Sequence, residues 1–292
     1  MTNNQQPITV GIVGLGLIGG SLGLDLRSAS NNLTVIGVSR SEATCKAAVE
    51  IGVADRASIH LTTLGAADII FLCTPIDKIA PTLAQLVPYL SPRTIVTDVA
   101  SVKVPIVREC SQLWTNFIGG HPMAGTEKQG IEAAQKGLFV GCNYVLTPTE
   151  TTTQNAVDLV KTIISLLKVR IYCCSPEVHD CAVACISHAP VIVSAALIAA
   201  LRGEADVSVL NLAKQIASSG FRDTSRVGGG NPELGLMMAR YNRDNLLRSL
   251  TQYRHYFDEI ITEIEAENWD TLSLILQQTQ EFREEIYPSG RT

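Results

Sequence analysis

Three groups of residues have the types and spacing to do chemistry. The first is Gly14-Leu15-Gly16-Leu17-Ile18-Gly19, a GxGxxG that directly follows the apolar run Ile8 to Gly14 and opens a helical pattern. In that setting Gly14 permits a tight turn, Gly16 lets backbone approach a pyrophosphate, and Gly19 lets helix and strand pack closely, with the helix N-terminus facing the phosphates. The second is His121, in Gly119-Gly120-His121-Pro122-Met123-Ala124-Gly125-Thr126, where small residues admit a substrate and an imidazole can accept a proton near neutral pH. Ser101, in Asp98-Val99-Ala100-Ser101-Val102-Lys103, can orient a substrate hydroxyl at the same edge; capping a helix is its competing role. The third is Ser219-Gly220-Phe221-Arg222-Asp223-Thr224-Ser225-Arg226, whose guanidinium groups can clamp a carboxylate or form surface ion pairs.

Twenty positions beyond Gly19, a chain that binds NAD places an acid on the ribose hydroxyls, but here the residues are Ser39-Arg40-Ser41. An arginine and two hydroxyls accept a 2'-phosphate, which makes NADP the expected cofactor. The competing roles for Arg40 are stacking on adenine and pointing into solvent. Thr74-Pro75 closes another apolar run and is expected to line the dinucleotide groove.

These groups need a scaffold, and the first half of the chain supplies one. Short β-branched runs at Ile8 to Gly14, Thr34 to Val38, Asp68 to Cys73 and Thr94 to Asp98 alternate with helical patterns at Gly19 to Arg27, Glu42 to Ile51 and Ile79 to Val87. That alternation predicts an α/β, Rossmann-type, doubly wound parallel sheet. Further strands are expected at Phe117 to Gly119, Asn143 to Leu146 and Val169 to Tyr172, with His121 in a loop beyond the sheet and a helix over Thr153 to Leu167. After Ser175-Pro176 the patterns are helical only, and 221–232 reads as a long irregular loop. The expected division is a dinucleotide-binding domain, 1–175, and an all-helical substrate and dimerisation domain, 176–292.

Composition narrows the partners. The 23 Lys and Arg against 28 Asp and Glu leave a net charge of -5, without the basic excess that grips nucleic acid. Eight cysteines in no recurring pattern, with no apolar signal core at the N-terminus, read as reduced and mostly buried thiols in a cytoplasmic protein. No ligand spacing points to a metal. One stretch, Cys181 to Leu201, runs 21 residues without a charge and meets the length rule for a membrane span. Ser187, His188, Pro190 and Ser194 within it, with Asp180 and Arg202 at its flanks, favour a helix buried in a soluble core.

The motifs GLGLIGGSLG, DVASVK, GGHPMAGTE, SHAP, GFRDTSR and GGGNPE, in this order and spread over nearly the whole chain, resemble the prephenate/arogenate dehydrogenase family of tyrosine biosynthesis, above all its cyanobacterial arogenate dehydrogenases. The resemblance implies that His121 takes the proton from the ring hydroxyl, that Ser101 bonds that hydroxyl, and that Arg226 binds a substrate carboxylate, with His188, Asp223 and Thr126 also on the substrate. It implies a homodimer, with Cys181 to Leu201 as a buried dimer-core helix, and either arogenate or prephenate as substrate. Relatives that use prephenate often carry a second histidine three positions after His188; Val191 stands there and favours arogenate. A β-hydroxyacid dehydrogenase would need a catalytic lysine in the helical half, where Lys214 is the only lysine and stands outside the Gly/Arg-rich loop. A non-catalytic NADP-sensing regulator would need neither His121 with Ser101 nor the arginines.

Overall fold

The computed structural model describes residues 7–126 and 128–288. Contacts divide the chain into two compact units, Met1–Arg243 and Asp244–Thr292.

In the first unit the strands are β1 (Ile8–Val13), β2 (Leu33–Val38), β3 (Arg56–Ser58), β4 (Ile69–Leu72), β5 (Ile95–Asp98), β6 (Phe117–Pro122), β7 (Asn143–Thr147) and β8 (Arg170–Cys173). They form one sheet in the order β3-β2-β1-β4-β5-β6-β7-β8, parallel except where β6 meets β7. The helices between them are α1 (Leu17–Ala29), α2 (Glu42–Glu50), α3 (Ile76–Leu86), α4 (Val104–Leu113) and α5 (Gln154–Ser165). Alternation along the strands divides their apolar side chains between two layers. Val10, Ile12, Ile69 and Phe71 pack with α1 and α5, while Val13, Ile70 and Leu72 pack with α3 and α4. The strand order reverses beside β1, so the carboxyl ends of β1 and β4 flank the crevice where such sheets hold ligands.

The rest of this unit is helical: α6 (Pro176–Val183), a π-helical turn (Ala184–His188), α7 (Ala189–Arg202), α8 (Val207–Ile216), α9 (Ser219–Ser225) and α10 (Pro232–Tyr241). Element class therefore changes near 175, whereas contact density divides the chain later, because α6 packs on α4 and β7 and α10 on the π turn.

Several expectations are corrected. His121 is not in a loop: β6 runs on to Pro122 and pairs His121 with Val145. The short strand β3 and the helix α4 are additions, and α9 takes up the first part of the expected 221–232 loop. The N-cap position of α4 is Lys103, which makes no side-chain cap. The cap comes from 77 residues away, where the Asp180 carboxylate accepts the N–H groups of Lys103 (2.7 Å) and Val104 (2.8 Å). A cap supplied from that distance leaves no local signature. Only Cys45 and Cys110 of the eight cysteines are buried, and none of the eight is in a disulfide. The apolar stretch Pro176–Arg202 is long enough and apolar enough to cross a membrane, yet a window within it is only 28% buried, so one chain does not enclose it.

The second unit continues α11 (Arg243–Glu265) and adds α12 (Trp269–Ile286). Tyr253, Phe257, Ile261 and Ile264 recur at helical spacing along α11 and all are exposed, as are Leu274, Leu276, Phe282 and Ile286 on α12.

Candidate active site

A cleft of about 450 Å³ lies at the carboxyl ends of β1, β4, β5 and β6. Its walls include Gly16, Leu17, Ile18, Thr74, Pro75, Ser101, His121 and Thr126, so the glycine-rich turn, the β4 end and the proton-handling pair converge. From the helical half, Asn231, Glu233 and Met237 close it.

The glycine-rich turn fits a dinucleotide. Gly14 has φ +95°, and a Cβ there would lie 2.5 Å from the Cys73 carbonyl oxygen. A Cβ at Gly16 would meet nothing within 4 Å, so backbone faces open space at the N-cap of α1, where amides can receive phosphate oxygens. Nearby, the Thr74 Oγ1 is buried without a protein partner and offers a further polar contact.

His121 is 7% exposed and its Nδ1 lies 2.8 Å from Nε2 of His179. His179 Nδ1 in turn lies 2.7 Å from Asp180 Oδ1. The chain of contacts fixes the tautomers. The Asp180 oxygens already accept two backbone N–H groups, so His179 Nδ1–H donates to Asp180 Oδ1, the Nε2 of His179 then accepts from His121 Nδ1–H, and His121 Nε2 keeps a free lone pair. Burial, with the neighbouring His179, Lys103 and His188, holds the His121 pKa well below the ordinary histidine value. His121 is therefore neutral at neutral pH and able to accept a proton.

Behind the pair lies a second buried assembly. Lys103 Nζ donates to Asp98 Oδ2 and to the Gly120 carbonyl (2.7 Å), and both Lys103 and Asp98 are fully buried. Asp98 also accepts the N–H groups of Gly120 (3.1 Å) and Ala100 (2.9 Å). Position 120 has to be glycine, because a Cβ there would come within 2.7 Å of the Asp98 carbonyl oxygen.

Other expected residues lie elsewhere. Ser39, Arg40 and Ser41 follow β2 outside the cleft lining; Arg40 is exposed and Ser41 caps α2 by accepting the Thr44 N–H. His188 is buried in the π turn, with Nδ1 3.2 Å from Asn242 Nδ2 and Nε2 unpartnered; burial lowers its pKa to about 4. Asp223 and Arg226 are exposed and do not line the cleft, and Asp223 is bonded to Arg222 at 2.9 Å. Sequence reasoning missed His179 and Asp180, whose partner is 58 residues from His179, and gave no role to Asp98 or Lys103 although both stand in DVASVK.

Residues 22–173 match the prephenate dehydrogenase nucleotide-binding domain and residues 175–278 the prephenate dehydrogenase dimerization domain. The chain belongs to the prephenate dehydrogenase family. Within the family it is 31% identical to the prephenate dehydrogenase of Bacillus subtilis over 96% of this chain and 76% of that one. The crystal structure of Synechocystis arogenate dehydrogenase is 55% identical, with a TM-score of 0.87 over 96% of this chain and all of the other. A prephenate dehydrogenase from Aquifex aeolicus, in complex with hydroxyphenyl propionate and NAD+, is 27% identical with a TM-score of 0.90 over 97% of this chain and all of the other. The protein is thus a dehydrogenase of the prephenate/arogenate class, with a nucleotide-binding and a dimerisation domain.

Proposed function

We propose that the protein converts arogenate to tyrosine by oxidative decarboxylation, with NADP as the acceptor. The observation that carries the arogenate reading is the 55% identity to an arogenate dehydrogenase over 96% of the chain, and Val191, where prephenate-using relatives often have a histidine, points the same way. The NADP reading rests on Ser39-Arg40-Ser41 at the end of β2, where an acid would repel a 2'-phosphate. Prephenate is the second reading, favoured by the prephenate dehydrogenase of Bacillus subtilis among the relatives.

Gly14 to Gly19, Thr74 and Pro75 hold the dinucleotide, with Ser39, Arg40 and Ser41 at its ribose phosphate. Bound, the oxidised nicotinamide supplies the hydride acceptor for the ring carbon that bears the hydroxyl. His121 Nε2 takes the hydroxyl proton as the carbonyl forms, and Ser101 orients that hydroxyl. Asp180 and His179 hold His121 in the required tautomer and spread the charge it acquires. The ring then loses its carboxylate as carbon dioxide, the electrons of the broken C–C bond enter the ring, and a proton restores the phenol. Thr126 meets the substrate in the cleft; His188, Asp223 and Arg226 stand outside its lining, and their part in substrate binding rests on the family motifs alone. Residues 1–175 bind the dinucleotide, while 176–292 close the substrate site and dimerise, so the apolar 181–201 stretch meets a partner subunit and not lipid. Incubating the protein with arogenate and NADP is expected to yield tyrosine, carbon dioxide and reduced cofactor in equal amounts. Reduced cofactor without tyrosine would refute the reading.

A further inference from the structure

We propose that Lys103 is a positioning residue for this reaction: with Asp98 it forms a buried clamp that sets Ser101 and His121 in one register and keeps a positive charge behind His121. The proposal rests on the reading of His121 as the base. Neither Lys103 nor Asp98 lines the cleft, so neither touches substrate. Their contacts converge instead on the backbone that carries the residues which do.

Lys103 Nζ donates to the carbonyl of Gly120, and Asp98 Oδ1 accepts the N–H of the same residue, so the two peptide units on either side of Gly120, the second of which leads into His121, are both held. Asp98 Oδ2 holds the Ala100 N–H, next to Ser101, and also receives the lysine ammonium. The Lys103 backbone N–H, in turn, is on the Asp180 oxygen that also meets His179. One ion pair therefore ties together the ends of β5 and β6, the start of α4, and the α6 residues that orient the imidazole. Removing two charges fully from water is expensive, and a well-packed apolar pair often serves stability as well. The backbone register and the field at His121 are what an apolar pair would not reproduce.

The titratable and charged groups near His121 are His179 and Asp180 from α6, His188 from the π turn, Asp98 and Lys103 from the β5–α4 connection, and Tyr144 from β7. Lys128 and Glu233 also line the cleft with His121. Lys103 is the buried cation of the set: burial pulls its pKa down, and Asp98, which accepts from its ammonium, pulls it back up. Its loss makes His121 easier to protonate, and the Asp98 charge it leaves unbalanced acts in the same direction.

The test compares wild type with Lys103→Met, the neutral pair Asp98→Asn/Lys103→Met, and Lys103→Arg, by kcat, cofactor KM and the pH profile of kcat/KM. Lys103→Met is expected to lower kcat by roughly 10- to 100-fold, the scale of a misplaced catalytic group, with cofactor KM little changed. The acid limb of its kcat/KM profile should move to higher pH. The neutral pair removes the unbalanced carboxylate and so keeps the test open if Lys103→Met does not fold. It should show the same direction of limb shift. Lys103→Arg keeps the charge but not the fit, so kcat should fall while the limb stays near wild type. A folded neutral-pair variant with the wild-type limb, or with wild-type kcat, overturns the proposal. His121→Asn separates the two readings: if it kept full activity, the base assignment would fail as well.

Discussion

At the residue scale, the proposed chemistry turns on an imidazole that burial and its neighbours keep neutral and that a histidine and an aspartate keep aimed. His121→Asn should lower kcat by about 10²- to 10⁴-fold, the usual size of a lost general base, measured by steady-state turnover. Asp180→Asn should also lower kcat, because an amide presenting N–H no longer enforces the His179 tautomer that accepts from His121; unchanged kcat would remove Asp180 from the site. The low His121 pKa has a sign that can be read from rates. Because the base works only when neutral, kcat/KM should stay flat from neutrality down past the ordinary histidine value and fall only at lower pH. That His121 and Ser101 share one cleft was legible in the sequence, because each stands where an apolar run of the parallel sheet ends, His121 directly after two glycines. His179 and Asp180 were not: their role exists only once β6 and α6 meet, and a histidine on a helical pattern carries no mark of its partner.

At the scale of elements, the parallel sheet was legible nearly strand by strand, since each strand is a short β-branched run between helical patterns. What escaped was set by distant contacts. Helix α4 has its N-terminal amides satisfied by Asp180, so the cap that would have announced it lies 77 residues on. β6 extends through His121 only because β7 returns antiparallel beside it. The π turn buries His188, whose pKa is lowered to about 4 in the folded chain, while an unfolded histidine titrates near 6.5. Between those values the unfolded chain binds more protons, so this group's contribution to stability is intact above about pH 6.5 and is lost progressively as pH falls towards 4. Thermal melts across that range should show a falling Tm, and His188→Asn should reduce the slope; an equal slope would mean that other groups set it.

At the scale of the whole molecule, the high apolar fraction is only partly spent inside one chain. Tyr253, Phe257, Ile261 and Ile264 form an exposed stripe on α11, and Val207, Val209, Leu212 and Ile216 are exposed on α8. Patches of this kind mark association surfaces, in keeping with the dimerisation domain of the family. The charge-free stretch is helical, as its pattern predicts, and its low burial within one chain leaves apolar surface for a second copy. Phe257→Glu with Ile261→Glu should shift the protein from dimer towards monomer in sedimentation velocity, with activity falling in parallel. The choice of substrate and cofactor is decided most directly by kcat/KM for arogenate and for prephenate, each with NADP and with NAD, followed at the reduced-nicotinamide band. Arogenate with NADP is expected to be the best of the four by at least about tenfold, or about 1.4 kcal/mol of transition-state discrimination. A best rate with prephenate, or with NAD, would contradict it.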